Sequence, residues 1–268
     1  MTTEAVVSAY GRGVNDITTL ALRDVNELLA FVSDANPTIV RDSLVQLLPQ
    51  VIEPYILASG ELAATWYEDL RASAVAGTFY ATSSGELNQA RVRALVGYAV
   101  KPLFGQSSST VLTLMGGGVQ RMVSGAGRDT ISANIGRDRV RVGFARIPRT
   151  GCCSFCAMLA SRGAVYASEA SAGGVVGRGV DASVTAGRVG GQGRGVRARG
   201  NRAIGSNDYH DFCNCVATPV FQGGDNAFVN STADKYKSLY DEAFELNATG
   251  AISEKETLSS WRQVHGTT

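Results

Sequence analysis

From Asp16 to about Ala76 the apolar positions repeat with helical spacing. Leu20, Leu22, Val25, Leu28, Leu29 and Val32 recur at the i, i+3, i+4 intervals of an amphipathic helix, which Asn36-Pro37 stops. A second helix is expected from near Thr38, with Pro49 and Pro54 kinking or breaking it. "SGELAATWYEDLRASA" then opens a third at Ser59, with Leu62, Trp66 and Leu70 along one face. Another helix fits Glu86 to Val100 and ends at Lys101-Pro102. A further one can begin at the serines 107 to 109 and carry Val111, Leu112 and Met115. Gly116-Gly117-Gly118 weakens that helix by about 1 kcal/mol per glycine without having to break it.

Beyond this point the period changes. Asp129 or Thr130 is expected as an N-cap, and "VRVGFARI" then alternates as a strand does, leading directly into "GCCSFCAML". "CCSFCAMLASRG" reads as a short helix closed by Gly163, followed by a short strand at "AVYAS". Residues 172–206 have no apolar periodicity and are dense in glycine and arginine, which predicts a loop. "FCNCVATPVF" returns as a strand. An amphipathic helix is expected from Ser231 to Leu246, and Ser253 and Glu256 have capping-box spacing before Leu258, Trp261 and Val264. The expected fold class is mainly α with a smaller α+β C-terminal module. It divides as a helical N-terminal region over 1–126, a Cys/His module over 127–222 and a helical tail over 223–268.

Composition changes this picture in two places. A chain of 268 residues with 44% hydrophobic and 18% charged residues is an ordinary globular one, and 31 glycines require a loose segment somewhere. The N-terminus lacks a basic stretch followed by an apolar one, and no apolar run is long enough to span a bilayer, so no membrane partner is expected. The net charge of +1 hides an asymmetry: seven arginines between Arg121 and Arg149 face only Asp129 and Asp138. Six more, Arg178, Arg188, Arg194, Arg197, Arg199 and Arg202, face only Asp181. Arginine outnumbers lysine 21 to 4, a bias that suits bidentate phosphate contacts and that the base composition of a gene also produces. The second group, on a Gly-Arg loop, is the candidate nucleic-acid-binding set; a solvated linker is the plain alternative.

The candidate chemistry is concentrated in the cysteines. All five lie in "GCCSFCAML" and "HDFCNC", and the second stretch also holds one of only two histidines. Cys153 and Cys156 form C-x-x-C, and His210 and Cys213 form H-x-x-C, with Cys215 two residues on. Two such pairs suit tetrahedral zinc, with Cys153, Cys156, His210 and Cys213 as the favoured ligands, Cys215 as the replacement and Cys152 as the spare. A disulfide between the stretches, buried thiols that simply pack, and a redox C-x-x-C are the alternatives. A zinc deaminase needs an H-x-E or C-x-E upstream, and none occurs. A cysteine or serine protease needs a histidine free to act as base, and His210 is the one candidate. Glu169, Asp208 and Asp211 are scattered loop carboxylates, and no catalytic residue is assigned.

"GFARIPRTGCCSFCAMLASRGAVY", followed at a distance by "YHDFCNCVATPVF", resembles the C-terminal module of the phage Mu F-type minor head proteins. That family's motif is C-x-x-C, a loop, then H-P-x-C-x-C. The wording is closest to versions from actinobacterial tailed phages, some of them labelled capsid maturation proteases. The similarity is densest from Arg128 to Phe221, and it places the family's motif on Cys153, Cys156, His210, Cys213 and Cys215. Asp211 stands where the family has proline, and Cys152 is an additional thiol. The resemblance implies a non-catalytic minor capsid protein in the virion, at the capsid interior, after assembly in the host cytoplasm. Its implied partners are the portal protein, the major capsid protein or scaffold, and packaged double-stranded DNA. A capsid maturation protease or a DNA-acting enzyme is the alternative.

Overall fold

The computed structural model describes residues 3–105, 110–149, 152–164, 212–245 and 259–263. Three long helices form its body: α1 (Thr3–Val32), α2 (Pro37–Ala74) and α5 (Val111–Arg137). The short helices α3 (Gln89–Ala99) and α4 (Lys101–Phe104) lie between α2 and α5 in the chain. Then come β1 (Val142–Ile147), α6 (Ser154–Ala160), β2 (Val216–Phe221) and α7 (Ala227–Glu245). The protein is mostly helical, with one small sheet toward its C-terminal side.

α1 and α2 form a hairpin. Asn36 caps α2, its side chain accepting from the backbone N–H groups of Thr38 and Ile39 at 3.1 Å each, and Pro37 occupies the first turn, where a missing N–H costs nothing. Two cores lie along the bundle. Ala21, Val25 and Leu28 of α1 meet Leu44, Leu48 and Ile52 of α2, Val92 and Val96 of α3, and Met115, Val119 and Val123 of α5. Val7 and Tyr10 meet Ala63, Trp66, Tyr67, Ile131 and Ile135, and both strands join this second core. Tyr10 stacks on Trp66, with centroids 4.1 Å apart and planes within 2°.

Several elements depart from the expectation. α1 starts at Thr3, well before Asp16, and Leu20 is exposed on it. α2 is one helix of 38 residues that passes through Pro49 and Pro54, so Ser59 is a buried interior residue and opens no third helix. Each proline forfeits one helical bond, and packing against α1 and α5 along the length of α2 offsets the loss. α5 likewise runs unbroken through Gly116-Gly117-Gly118, and the boundary at 126/127 falls inside it. Asp129 and Thr130 are therefore not caps. Thr130 donates through Oγ1 to the Ala126 carbonyl and accepts from the N–H of Ser84.

The glycines of α5 permit close contact. A methyl group on Gly118 would collide with Leu95 Cδ1, and one on Gly127 would sit 2.7 Å from Tyr10 Oη. The irregular stretch after α2 is fastened by side chains: Asn134 donates to the Thr82 carbonyl at 2.9 Å and accepts from the Thr82 N–H at 3.0 Å. At the end of α5, Arg71 Nε donates to Asp138 Oδ2 at 2.7 Å in a buried ion pair that Tyr67 also joins.

The expected strands at "VRVGFARI" and "FCNCVATPVF" form, and they pair antiparallel with Val142 opposite Phe221 and Ile147 opposite Val216. Burial does not alternate along them. The strands pack against α1, α2 and α5 and against α6 and α7, so nearly all their residues are buried. Pro219 is tolerated in β2 because, among the described residues, each strand has only one partner. The expected strand at "AVYAS" beyond Ala164, the loop 172–206 and the Ser253–Glu256 capping box lie outside the described residues. Trp261 falls in a short helical stretch at 259–263 and is buried against Ala157 and Ala243.

Candidate metal centre

The register of the sheet explains how two cysteine stretches so far apart in the chain can meet. Ile147, the last residue of β1, pairs with Val216, the first of β2. The residues after 147 and those before 216 therefore emerge at the same end of the sheet. From there the first stretch turns into α6, whose N-cap is Cys153; its Sγ accepts the Cys156 N–H at 3.4 Å. The expected closure at Gly163 is present, with φ at +58°, a value that favours glycine.

Cys156, Cys213 and Cys215 converge, all three buried, with their sulfurs within 4.8 Å of one another. Cys156 Sγ and Cys213 Sγ are 3.5 Å apart. A disulfide would bring sulfurs to about 2.0 Å, and all five cysteines are free thiols. Tetrahedral thiolates around a zinc-sized ion at about 2.3 Å stand about 3.8 Å from each other. The observed spacing suits vertices of such a tetrahedron, and this cluster can hold a metal ion. Cys152 and Cys153 pack against the trio, and the Cys152 sulfur lies 3.7 Å from Tyr236 Oη on α7.

The electrostatics point the same way. Hydrogen bonds with Cys156 and Cys215 hold the Cys213 thiol below its ordinary value. Cys156 is pushed up by its sulfur neighbours Cys153, Cys213 and Cys215 and then by burial. A hydrogen bond with Cys156 pulls Cys215 down, but contact with Cys213 and burial outweigh it and push it up to about 12. Clustered, buried thiols resist losing several protons together, and a bound cation would relieve that resistance.

Of the favoured ligand set, the fold brings Cys156 and Cys213 together and adds Cys215, which had been the replacement. Cys153 sits beside the trio as the helix cap, and His210 lies outside the described residues. So do Arg178, Arg188, Arg194, Arg197, Arg199 and Arg202, and Glu169, Asp208 and Asp211.

The arginine group from 121 to 149 is used in a way the sequence did not reveal. Arg128 Nη2 donates to the Cys213 carbonyl at 2.8 Å, and Arg146 Nη1 to Cys156 Sγ at 3.7 Å. Arg149 donates to the Gly11 carbonyl, and Arg137 to Thr82 Oγ1. Arg139 and Arg141, by contrast, are exposed. Gln120 donates to Asn214 Oδ1 at 2.7 Å. Gln120, Ser124 and Arg128 form a buried polar stripe at i, i+4, i+8 on α5, a signal that was present in the sequence.

With this geometry in view, the family model for VG15 proteins matches residues 1–243. The chain belongs to the VG15 family, a family of viral proteins. No curated protein and no solved structure matches it. The family match spans the helical body, both strands, the cysteine trio and nearly all of α7. Among the described residues no helix is long and apolar enough to cross a membrane.

Proposed function

We propose that this VG15 protein is a non-catalytic minor capsid protein of phage head morphogenesis, related to the Mu F-type minor head proteins. It works at the capsid interior beside the portal, and it contributes to head assembly and to packaging or delivery of DNA. The observation that carries this reading is the cysteine trio, buried on a viral family's helical scaffold. With a fourth protein ligand such a centre is a structural zinc site that leaves no coordination position open for chemistry. Zinc would be held by Cys156, Cys213 and Cys215, with Cys153 or His210 completing four ligands.

In this role the helical body docks to the portal protein, the major capsid protein or scaffold. Arg178, Arg188, Arg194, Arg197, Arg199 and Arg202 contact DNA phosphates without reading sequence, and that affinity falls steeply with salt. Cross-linking mass spectrometry on assembled heads tests the placement. The expected result is cross-links from 3–105 to portal or capsid protein and from 178–202 to DNA. A chain absent from purified heads, or specific cleavage of major capsid protein that Cys213→Ser leaves intact and His210→Ala abolishes, would refute it.

A further inference from the structure

Two buried arginines from different elements reach the cysteine site. Arg146 belongs to β1, a strand otherwise made of apolar and small residues, and is only 5% exposed. Its Nη1 approaches Cys156 Sγ at 3.7 Å, and its guanidinium lies 6.0 Å from the centre of the Phe155 ring. Arg128 reaches across from α5, 6% exposed, and donates to the Cys213 carbonyl. One half of the cysteine site thus meets a guanidinium at its sulfur, and the other half meets one at its backbone. Burial of a guanidinium is costly unless negative charge or strong acceptors compensate it. Three thiolates on a divalent ion leave one net negative charge, and four leave two. Positive charge fixed at the sulfurs offsets that excess and orients the ligands, which is the part that groups behind metal ligands commonly play.

We propose that Arg146 is a positioning residue of the metal centre, orienting Cys156 Sγ toward the ion through an N–H to sulfur hydrogen bond and offsetting the negative charge of the bound site. Arg128 supports the partner half by fixing the turn at Cys213. The proposal rests on the metal-binding reading and adds to it a determinant of affinity outside the ligand set.

The test uses the full-length chain, zinc affinity from competition with a chromophoric chelator, and the absorption spectrum with cobalt(II) in place of zinc. Arg146→Met keeps length and removes the charge and the donor, and its zinc affinity is expected to fall about 10- to 100-fold. Its thiolate-to-cobalt charge-transfer band is expected to shift, while helical circular dichroism at saturating zinc stays at the wild-type level. Arg146→Lys restores the charge and is expected to recover most of the affinity. Arg146→Gln, a neutral donor that serves even where the methionine variant does not fold, is expected to bind zinc more weakly than Arg146→Lys. Wild-type zinc affinity and an unshifted cobalt band in Arg146→Met, or equal affinities in the glutamine and lysine variants, would overturn the role of Arg146 while leaving the metal centre standing. A wild-type chain that takes up neither zinc nor cobalt overturns both.

Discussion

The half of the molecule around Leu44, Leu48, Ile52 and Met115 and the half around Cys156, Cys213 and Cys215 solve burial with different chemistry. The first is hydrocarbon on three long helices, where each fully buried Leu or Ile side chain is worth roughly 1.5–3 kcal/mol and none is indispensable. The second has little apolar volume between the strand ends and α6, and places thiols and guanidiniums there. The first half needs area and the second needs a specific partner for its sulfurs. Damage to one should therefore be graded and damage to the other abrupt.

The largest expected effect separates the halves. Cys156→Ser with Cys213→Ser removes two ligands and with them metal-binding free energy on the order of 10 kcal/mol. Hydrogen exchange should show α6 and the strand ends opening while α1, α2 and α5 stay protected. Equal protection everywhere would mean that the sulfurs are ordinary core. A smaller loss, about 3–5 kcal/mol in chemical denaturation, is expected for Asp138→Asn, which leaves Arg71 buried beside a neutral group. It tests whether the second core depends on its own ion pair, independently of metal.

Two glycines sharpen the hydrocarbon half in opposite directions. A methyl group on Gly60 collides with Ser83 Oγ and comes within 2.9 Å of the Gly85 backbone nitrogen. Gly60→Ala should therefore destabilise by about 1–3 kcal/mol. Gly125 is helical with open space where its Cβ would stand. Gly125→Ala should raise stability by about 0.5–1 kcal/mol, seen as a higher thermal midpoint. The same substitution on two helices is thus expected to have opposite signs.

What could be read from the sequence follows the same division. Period and turn chemistry identified both strands, the short helix ending at Gly163 and the meeting of the two cysteine stretches. Prolines and caps misled where tertiary packing decides: Pro49 and Pro54 are carried through α2, and Asp129 sits half-buried in α5 with its carboxyl pushed up by desolvation against Arg91 and Arg128. The ligand order also depended on three-dimensional placement. C-x-x-C spacing favoured Cys153, which caps α6 beside the trio, whereas Cys215 is swung into the cluster by the start of β2. Two arginines of the 121–149 group are internal struts: Arg128 donates to the Cys213 carbonyl and Arg146 to Cys156 Sγ.

The central claim is that one bound metal ion closes the end of the sheet. Elemental analysis of full-length protein purified without added metal, paired with native mass spectrometry, tests it most directly. One zinc per chain, lost from Cys213→Ser and from wild-type protein unfolded with a chelator, is the predicted result. A chain that carries no metal, takes up none when zinc is supplied, and melts at the same temperature with and without chelator would contradict it.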